Sequence, residues 1–332
     1  MRELIGYSGQ SKTPAPRDSM RKAMLLYNPL SGRRSGRRLA DIEAALSVLR
    51  SAGVEASVAP TRAASDATDQ TRQAVAEGCD AVFACGGDGT VHDVLQALVG
   101  TQAALAIIPL GTANSLAHDL RLPLSPADAA RAALTANPRR IAVGRVEYQD
   151  FSGRRAARYF TVTVGIGVDA HLFYKLDPLV KRRFGMAAYC AKATGLWLTH
   201  RLENFAVEFS EGGRTRRTEV SQLLAVRIRD FGGVLRQLAP GASLDRNDLR
   251  LVIFRTRSRI AYLRYVLRGL FGTNWKVPGI ELVHGTSATC RAVAPSDGAK
   301  SRIFVEADGE LLGTLPAEIS LVRDALTLLT PD

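Results

Sequence analysis

Three short turns rich in glycine, threonine and asparagine are the clearest chemical feature of the sequence. They are Asn28–Gly32 (NPLSG), Gly86–Thr90 (GGDGT) and Leu110–Asn114 (LGTAN), and each follows a short apolar segment. Glycine lets the backbone approach a ligand closely and adopt positive φ, and backbone N–H groups at such turns and at helix N-termini bind anions. One such turn is ordinary strand-to-helix punctuation. Three of them together predict a phosphate-binding site.

Other common binding sites are excluded by their missing motifs. The chain contains no GxxxxGK[ST] loop, and no GxGxxG fingerprint follows the first predicted strand. Its four cysteines form no CxxC pair and show no metal-ligand spacing with the five histidines. We therefore expect reduced thiols rather than a disulfide framework or a zinc site.

The elements that must position the three turns alternate between strand and helix. Apolar runs at 23–27, 54–59, 80–85 and 105–109 read as strands, and amphipathic patterns between them read as helices. Continuous apolar strands separated by helices indicate a parallel sheet that is buried on both faces. In such a doubly wound sheet all three turns lie at the carboxyl ends of the strands, where ligands bind.

The pattern changes after about residue 140. Short alternating strands with glycine-containing turns predict an antiparallel β-sandwich, interrupted by helical stretches at about 170–200 and 258–271. We therefore predict three parts: a flexible basic N-terminal arm (1–22), an α/β nucleotide-binding domain (23–140) and a β-rich domain (141–332). The sequence leaves open whether the last strand of the β-rich domain returns to the sheet of the first domain.

Composition and charge restrict the class of protein and of partner. The chain has 332 residues, of which 46% are hydrophobic and 23% charged, as in ordinary globular proteins. Its formal net charge is +12, which allows an anionic partner such as nucleic acid, a membrane surface or nucleotide phosphates. No signal peptide is evident, and glycine, proline and polar residues interrupt the longest uncharged run (94–117), so we expect a soluble protein.

The three turns, in this order and within about 90 residues, resemble the motifs of the diacylglycerol kinase catalytic-domain family, which includes bacterial soluble lipid kinases and is related to sphingosine and ceramide kinases. The similarity continues in Gly165–Ala170 (GIGVDA), in Arg183–Tyr189 (RFGMAAY) and in Asp308–Glu310 (DGE). The GGDGT loop alone is shared with NAD kinases and phosphofructokinases. The resemblance implies a two-domain lipid kinase that binds ATP and Mg²⁺ in the cleft and a lipid in the β-rich domain.

The resemblance also assigns roles to individual residues. It implies that Asp88 and Glu310 are catalytic, with Glu310 as the general base and Asp88 organising the Mg²⁺–phosphate network or polarising the attacking hydroxyl. It implies substrate contacts for Asp169 and Asp308. The implied ATP-binding residues are Asn28, Ser31, Gly32, Thr61, Gly86, Gly87, Asp88, Gly89, Thr90, Gly111, Thr112 and Asn114.

Simpler interpretations of these carboxylates remain open from the sequence pattern. Glu310 can be a hairpin-turn carboxylate in water, Asp88 can stabilise its own loop, and Asp169 can cap a helix. The five histidines, His92 included, are most simply structural or surface residues.

The sequence departs from many bacterial members of the family at three places. Ser115 and Ala142 stand where those members carry acidic residues, and Arg246 falls where a ligand of a structural Mg²⁺ would be. A cation in place of a ligand should exclude that metal, although Asp245 or Asp248 could restore a site. We expect no structural Mg²⁺ there. The departures leave the lipid open: diacylglycerol, giving phosphatidic acid, is the default, and a ceramide or a sphingoid base is the alternative.

Two basic stretches suggest how the protein reaches a lipid. Residues 175–202 carry six basic residues and one acid, and residues 251–276 carry six basic residues and no acid. In the second stretch Arg257, Arg264 and Arg268 are predicted to dock an anionic membrane. The competing interpretation is a core-packed helix with a solvated basic face. We expect a cytoplasmic protein that associates peripherally with the inner face of the membrane.

Other functions and assemblies have weaker support. An NAD kinase would share the GGDGT loop but not the NPLSG turn, and a non-catalytic nucleotide-binding protein would not need both Asp88 and Glu310. A nucleic-acid partner is not expected, because no basic–aromatic recognition module is present. The oligomeric state stays open, a homodimer included.

Overall fold

The computed structural model describes residues 20–29, 37–62, 66–168, 170, 202–232, 238–272, 275–293 and 303–331. The basic stretch 175–202, apart from its last residue, and residues 1–19 of the N-terminal arm lie outside these ranges. In the first part of the chain the strands are β1 (Lys22–Tyr27), β2 (Glu55–Pro60), β3 (Ala81–Gly86) and β4 (Ala104–Pro109). The helices there are α1 (Arg38–Ser51), α2 (Asp66–Ala76), α3 (Asp88–Leu98), α4 (Ser115–Asp119) and α5 (Pro126–Thr135).

The first four strands form a parallel sheet in the order β2-β1-β3-β4. Its strands alternate between two apolar clusters. One cluster joins Leu26 to residues of α2 and α3, and the other joins Leu25 to residues of α1 and α5. Helices therefore cover both faces, which confirms the predicted doubly wound α/β domain.

The second part of the chain is almost entirely antiparallel. Its strands are β5 (Asn137–Gln149), β6 (Arg155–Phe160), β7 (Thr163–Gly167), β8 (Phe205–Glu211), β9 (Arg214–Val220), β10 (Gln222–Val226), β11 (Leu249–Phe254), β12 (Ile280–Gly285), β13 (Ser287–Ala292), β14 (Phe304–Ala307) and β15 (Glu310–Thr330). One path through them runs β12-β11-β10-β7-β14-β15, while β5, β6, β8, β9 and β13 branch from it. Their inward side chains, such as Phe160, Phe205 and Phe209, form a separate core. The antiparallel β-sandwich is confirmed.

The 21-residue strand β15 joins the two parts of the molecule. It pairs with β14, β13 and β5 along its length, and near its end Thr327 and Leu328 pair in parallel with Ala104 and Leu105 of β4. The last strand of the β-rich part thus completes the parallel sheet. The fifteen strands found among the described residues form one hydrogen-bonded sheet, which fixes the DGE turn at the start of β15 relative to the turns of the α/β domain.

One helix, α6 (Arg259–Phe271), packs on the outer strands of the β-rich part. Its inward face is aromatic: the rings of Tyr262 and Tyr265 lie 4.6 and 5.2 Å from the ring of Phe254. Arg268 belongs to this buried side, since its guanidinium lies over the Tyr265 ring and its residue is only 7% exposed. The predicted membrane contact of Arg268 is therefore wrong. Arg257 and Arg264 are exposed.

Among the described residues, no helix is long and apolar enough to cross a membrane.

Candidate active site

The carboxyl ends of the parallel strands lie in register at one edge of the sheet. Tyr27 of β1 pairs with Pro60 of β2 and Cys85 of β3, and Gly86 pairs with Pro109 of β4. Asn28, Thr61, the GGDGT loop and the LGTAN turn therefore follow neighbouring strands. Thr61 is buried and donates its backbone N–H to the carbonyl oxygen of Tyr27 at 2.8 Å. Its position holds the ends of β1 and β2 together.

The second and third turns pack directly against each other through glycines. A Cβ atom on Gly111 would lie 2.3 Å from the Cα of Gly87, a distance that no substitution tolerates without backbone movement. The N–H of Leu110 donates to the carbonyl oxygen of Gly86 at 2.9 Å. The backbones of the two loops thus form one surface without side chains, as close approach to a phosphate requires.

Asn114 holds the third turn closed. Its Oδ1 accepts the N–H of Gly111 at 2.9 Å, and its Nδ2 donates to the carbonyl oxygen of the same residue at 3.1 Å. The backbone of Asn114 is left-handed, with φ of 52°, which asparagine tolerates better than most residues. Asn114 is buried, so its contribution is to shape the turn. Thr112, in contrast, is exposed at the turn's surface.

Asp88 lies at the start of α3, beside the start of α4. Its Oδ1 accepts the N–H of Ser115 at 2.7 Å. Burial raises the pKa of Asp88, and the nearby carboxylate of Asp308 raises it further, while backbone N–H groups of residues 114–116 lower it. The side chain is therefore held by the LGTAN turn at the point where the anion-binding N–H groups of α3 begin.

The DGE turn is built around a buried aspartate. Asp308 accepts backbone N–H bonds from Thr161, Val162 and Thr163 at 2.9–3.0 Å, and its own N–H donates to the carbonyl oxygen of Thr163. Nδ1 of His92 lies 3.5 Å from its Oδ2. Both carboxylate oxygens are thus taken by the chain itself. This corrects the expectation that Asp308 contacts the substrate: Asp308 positions the turn.

Glu310, two residues later, lies against the GGDGT loop. A Cβ atom on Gly89 would lie 2.9 Å from Oε1 of Glu310, so the absence of a side chain at Gly89 makes room for the carboxylate. Glu310 is exposed to solvent by surface area, but the protein around its carboxylate displaces enough water to raise its pKa, and His92 lowers it. The turn from the β-rich part and the loop from the α/β part therefore meet, as a catalytic pair requires.

Helix α3 carries two further contacts that sequence reasoning missed. His92 is 2% exposed and its ring lies beside Asp308. The side-chain amide of Gln96 donates to the carbonyl oxygen of Tyr159 and accepts the N–H of the same residue, both at 2.9 Å. Among the described residues, Nε2 of His92 has no hydrogen-bond partner. The spacing of His92 and Gln96, one turn apart on the helix that follows GGDGT, is the signal that could have found them.

Some of the remaining predicted site residues lie at the sheet edge, and others lie outside the described residues. Gly86 is close to Thr90, since a Cβ atom there would lie 2.3 Å from Oγ1 of Thr90. Asn28 follows β1 at the same sheet edge. Ser31, Gly32 and Asp169 lie outside the described residues.

The glycine surface suits a phosphate, and the carboxylates suit a metal that arrives with a nucleotide. The described residues contain no group of three or more His, Cys, Asp or Glu side chains that could hold a metal ion. Mg²⁺ is commonly bound by one or two carboxylates together with substrate phosphates. Asp88, at the N-terminus of α3, fits that use.

The loop 244–248, where we expect no structural Mg²⁺, does not fit such an ion. The guanidinium of Arg227, completely buried, donates to the carbonyl oxygens of Ala142, Leu244, Arg246 and Asp248 at 2.6–3.2 Å. The nearby carboxylates are also engaged, Asp245 with Arg139 at 2.7 Å and Asp248 with Arg246. A cation of the chain itself thus holds these oxygens.

The comparisons with known proteins cover both parts of the chain. Residues 22–146 match the family described as diacylglycerol kinase catalytic domain. Residues 161–330 match the one described as YegS C-terminal NAD kinase beta sandwich-like domain. A diacylglycerol kinase of Mycobacterium tuberculosis is 31% identical over 95% of this chain and 97% of its own length. One from Bacillus subtilis is 29% identical over 92% and 95%.

A solved structure has the same fold over nearly the whole length. It is described as a putative diacylglycerol kinase from Bacillus anthracis, with a TM-score of 0.73 and 21% identity, and the match covers 95% of this chain and 97% of that one. Both halves of the sequence, the pairing of the GGDGT loop with the DGE turn, and the full-length relatives lead to one conclusion: this chain belongs to the diacylglycerol kinase family and is a lipid kinase.

Proposed function

We propose that this lipid kinase transfers the γ-phosphoryl group of ATP to the free hydroxyl of a diacylglycerol, giving phosphatidic acid and ADP. The observation that carries the proposal is the position of Glu310. Its carboxylate lies against Gly89 of the phosphate loop, one residue from Asp88. Phosphoryl transfer needs positioning, charge neutralisation and a carboxylate that takes the hydroxyl proton, and these residues supply all three.

In the proposed reaction the carboxylate of Glu310 accepts the proton of the lipid hydroxyl, the hydroxyl oxygen bonds to the γ-phosphorus, and the bond to the β–γ bridging oxygen breaks to release ADP. The N–H groups at the start of α3 and the glycine surface of Gly87 and Gly111 hold the phosphates. Asp88 would hold the Mg²⁺ that accompanies ATP, and that ion would supply neutralisation of phosphate charge.

Diacylglycerol is proposed as the acceptor because the full-length relatives are named diacylglycerol kinases. A ceramide or a sphingoid base carries the same kind of hydroxyl and remains the alternative. Since the acceptor is a membrane lipid and ATP is a cytoplasmic metabolite, we propose that the protein works as a peripheral protein on the inner, anionic face of the membrane.

The test is a panel of acceptors with [γ-³²P]ATP. Purified full-length protein is given dioleoylglycerol, ceramide or sphingosine in mixed micelles, or NAD in solution. We expect label in phosphatidic acid. Label in the phosphate of ceramide or sphingosine instead would show that a sphingolipid is the acceptor. Label in NADP alone, or in none of the products, would contradict the proposal.

Variants link the reaction to the site. Glu310→Gln should lower kcat about 10²–10⁴-fold, the usual contribution of a general base. Glu318→Gln is the matched control, because Glu318 is an exposed carboxylate on the same strand and lies outside the site. Equal activity of the Glu310 variant and the control would remove Glu310 from the mechanism.

A further inference from the structure

The outward face of α6 is apolar, although it faces solvent. Ile260, Leu263 and Phe271 are 65%, 49% and 71% exposed, and Trp275, just beyond the helix, is 44% exposed. On a helix of 3.6 residues per turn, positions 260, 263, 264, 267 and 271 share one side. A surface helix normally turns polar residues outward. Here the aromatic side, with Tyr262 and Tyr265, is packed into the core, and the aliphatic side is left outside.

The helix is fixed rigidly enough to present that face. Oγ of Ser258 accepts the N–H of Ala261 at its start, and Gly272, with φ of 62°, ends it. On the inward side, the Tyr262 hydroxyl lies 2.8 Å from Oγ of Ser221, and the Tyr265 hydroxyl donates to the carbonyl oxygen of Leu238. These bonds, together with the stacking on Phe254, leave one orientation for α6. Its exposed apolar side is thus a feature of the fold.

The charged residues of this segment are all basic. Arg264 lies between the exposed apolar residues, and Lys276 follows Trp275; both are exposed. No Asp or Glu occurs between residues 251 and 280. The next acid, Glu281, is bonded to Arg216 at 2.8 Å. Contiguous exposed apolar residues mark interaction surfaces, and basic residues beside them fit an anionic partner.

We propose that Ile260, Leu263, Arg264, Phe271, Trp275 and Lys276 form a docking surface that inserts its apolar side chains into the interface of an anionic lipid membrane. Amphipathic helices with basic residues bind in this way, and tryptophan is enriched at the level of the lipid headgroups. The basic side chains add attraction to anionic lipids. The physiological role of the surface rests on the proposed function, but its binding to lipid does not.

The docking surface is connected to the active site through one short strand. Thr163, at the start of β7, accepts the N–H of Asp308 in the DGE turn, and Val168, just past its end, belongs to the apolar cluster under α6. Five residues of extended strand span about 16 Å. Membrane contact at α6 therefore fixes the distance of the active site from the bilayer.

The test measures binding of the full chain to sucrose-loaded vesicles by sedimentation. Vesicles of phosphatidylcholine with 40% phosphatidylglycerol are compared with pure phosphatidylcholine. The triple variant Ile260→Ser/Leu263→Ser/Phe271→Ser should bind at least tenfold more weakly, and Arg264→Gln/Lys276→Gln should lose the preference for anionic vesicles. The matched control is Leu39→Ser/Leu124→Ser, which removes two leucines of equal exposure from the α/β domain.

Insertion has its own signature. In a Trp197→Phe background, Trp275 is the only tryptophan, and its fluorescence should shift to the blue and be quenched by brominated lipids. Undiminished binding by the triple variant, or no quenching, would overturn the proposal. So would a dimer that the same substitutions dissociate while vesicle binding is unchanged, since the surface would then serve a second copy of the chain.

The assay separates this proposal from the proposed function. The triple variant should phosphorylate a water-soluble short-chain diacylglycerol as fast as the parent protein, because the substitutions lie outside the active site. Vesicle binding without phosphorylation of any lipid would leave the docking surface standing and overturn the proposed reaction. If the protein phosphorylates a lipid but the substitutions leave vesicle binding unchanged, the proposed reaction stands and the docking surface is overturned.

Discussion

Asp308 and Glu310 are separated by one residue, yet their surroundings are opposite. Asp308 is buried and bonded to three backbone N–H groups, whereas Glu310 is exposed and reaches Gly89 across the junction of the two parts. The DGE motif therefore combines a buried anchor, Asp308, with the carboxylate that we propose as the base, Glu310. His92 contacts the anchor and acts electrostatically on the reactive group.

Gly89→Ala should separate stability from activity. Gly89 is in the first turn of α3, where alanine is up to about 1 kcal/mol more favourable than glycine, so thermal stability should stay the same or rise. The added Cβ would lie 2.9 Å from Oε1 of Glu310 and displace that carboxylate, so kcat should fall at least tenfold. Calorimetry and steady-state kinetics check both. Full activity would mean that Glu310 is not used at this position.

The pH profile of kcat/KM should report Glu310 as the base. Glu310 works when deprotonated, and the loss of water around its carboxylate raises its pKa, so the acid limb should lie above the ordinary value for glutamate, about 4.3. His92→Asn removes the neighbour that lowers this pKa, and the limb should move to higher pH.

The charged groups near this site also include Asp88, Asp93, Asp308 and Arg158. Burial raises the pKa of Asp93 to about 6. Because the charge of Glu310 raises the pKa of Asp93, Asp93→Asn tests which carboxylate the limb reports, and the limb should stay in place if Glu310 is the base. His118→Asn, at an exposed histidine, is the control. An unmoved limb in His92→Asn would show that His92 has only a structural role.

For the helices and strands, the sequence predicted where each element lies better than which of its sides is buried. The parallel strands and their glycine turns are evident because buried strands are continuous apolar runs. The amphipathic pattern of α6 is also evident, but it does not show which side is buried. The tyrosines pack inward because their hydroxyls find partners in Ser221 and Leu238, and the aliphatic side is left outside. Such partners come from distant parts of the chain, so no local pattern reveals them.

The guanidinium of Arg227 holds the carbonyl oxygens of the loop 244–248 together, as a bound metal ion would. Arg227→Met should destabilise the fold by at least about 3 kcal/mol, because buried carbonyl oxygens without a donor cost about 1–3 kcal/mol each. Urea denaturation measures the loss. Arg229→Met, at an exposed neighbour, should change stability by less than about 0.5 kcal/mol.

Mg²⁺ completes that test. In the absence of nucleotide, adding or chelating Mg²⁺ should leave the melting temperature of the parent protein unchanged, since a guanidinium already serves the carbonyl oxygens of the loop 244–248. A melting temperature that falls on chelation would show a structural metal after all.

For the whole molecule, the continuity of the sheet is the feature that sequence reasoning left open. The sequence left open whether the last strand returns to the parallel sheet. The structure shows that it does, because β15 runs from the DGE turn through the sandwich and pairs with β4. A pairing between residues about 220 positions apart leaves no local signal. The charge of +12, in contrast, could be located in three stretches from the sequence, and one of them flanks the exposed apolar side of α6.

Because β15 belongs to both parts, the chain should unfold in one cooperative transition. Leu328→Ala, at a fully buried position where β15 meets β4, should lower stability by about 2–5 kcal/mol and shift the single calorimetric peak without splitting it. Two separate peaks, in either protein, would mean that the two parts are independent folding units.

The central claim is that Glu310 removes the proton of the lipid hydroxyl while the glycine loops hold the nucleotide. A single-turnover measurement with Glu310→Gln tests it most directly. The variant should bind ATP as tightly as the parent protein, since Glu310 belongs to the other part of the chain, and it should form phosphatidic acid about 10²–10⁴-fold more slowly. Transfer at the parent rate, with ATP binding intact, would contradict the account.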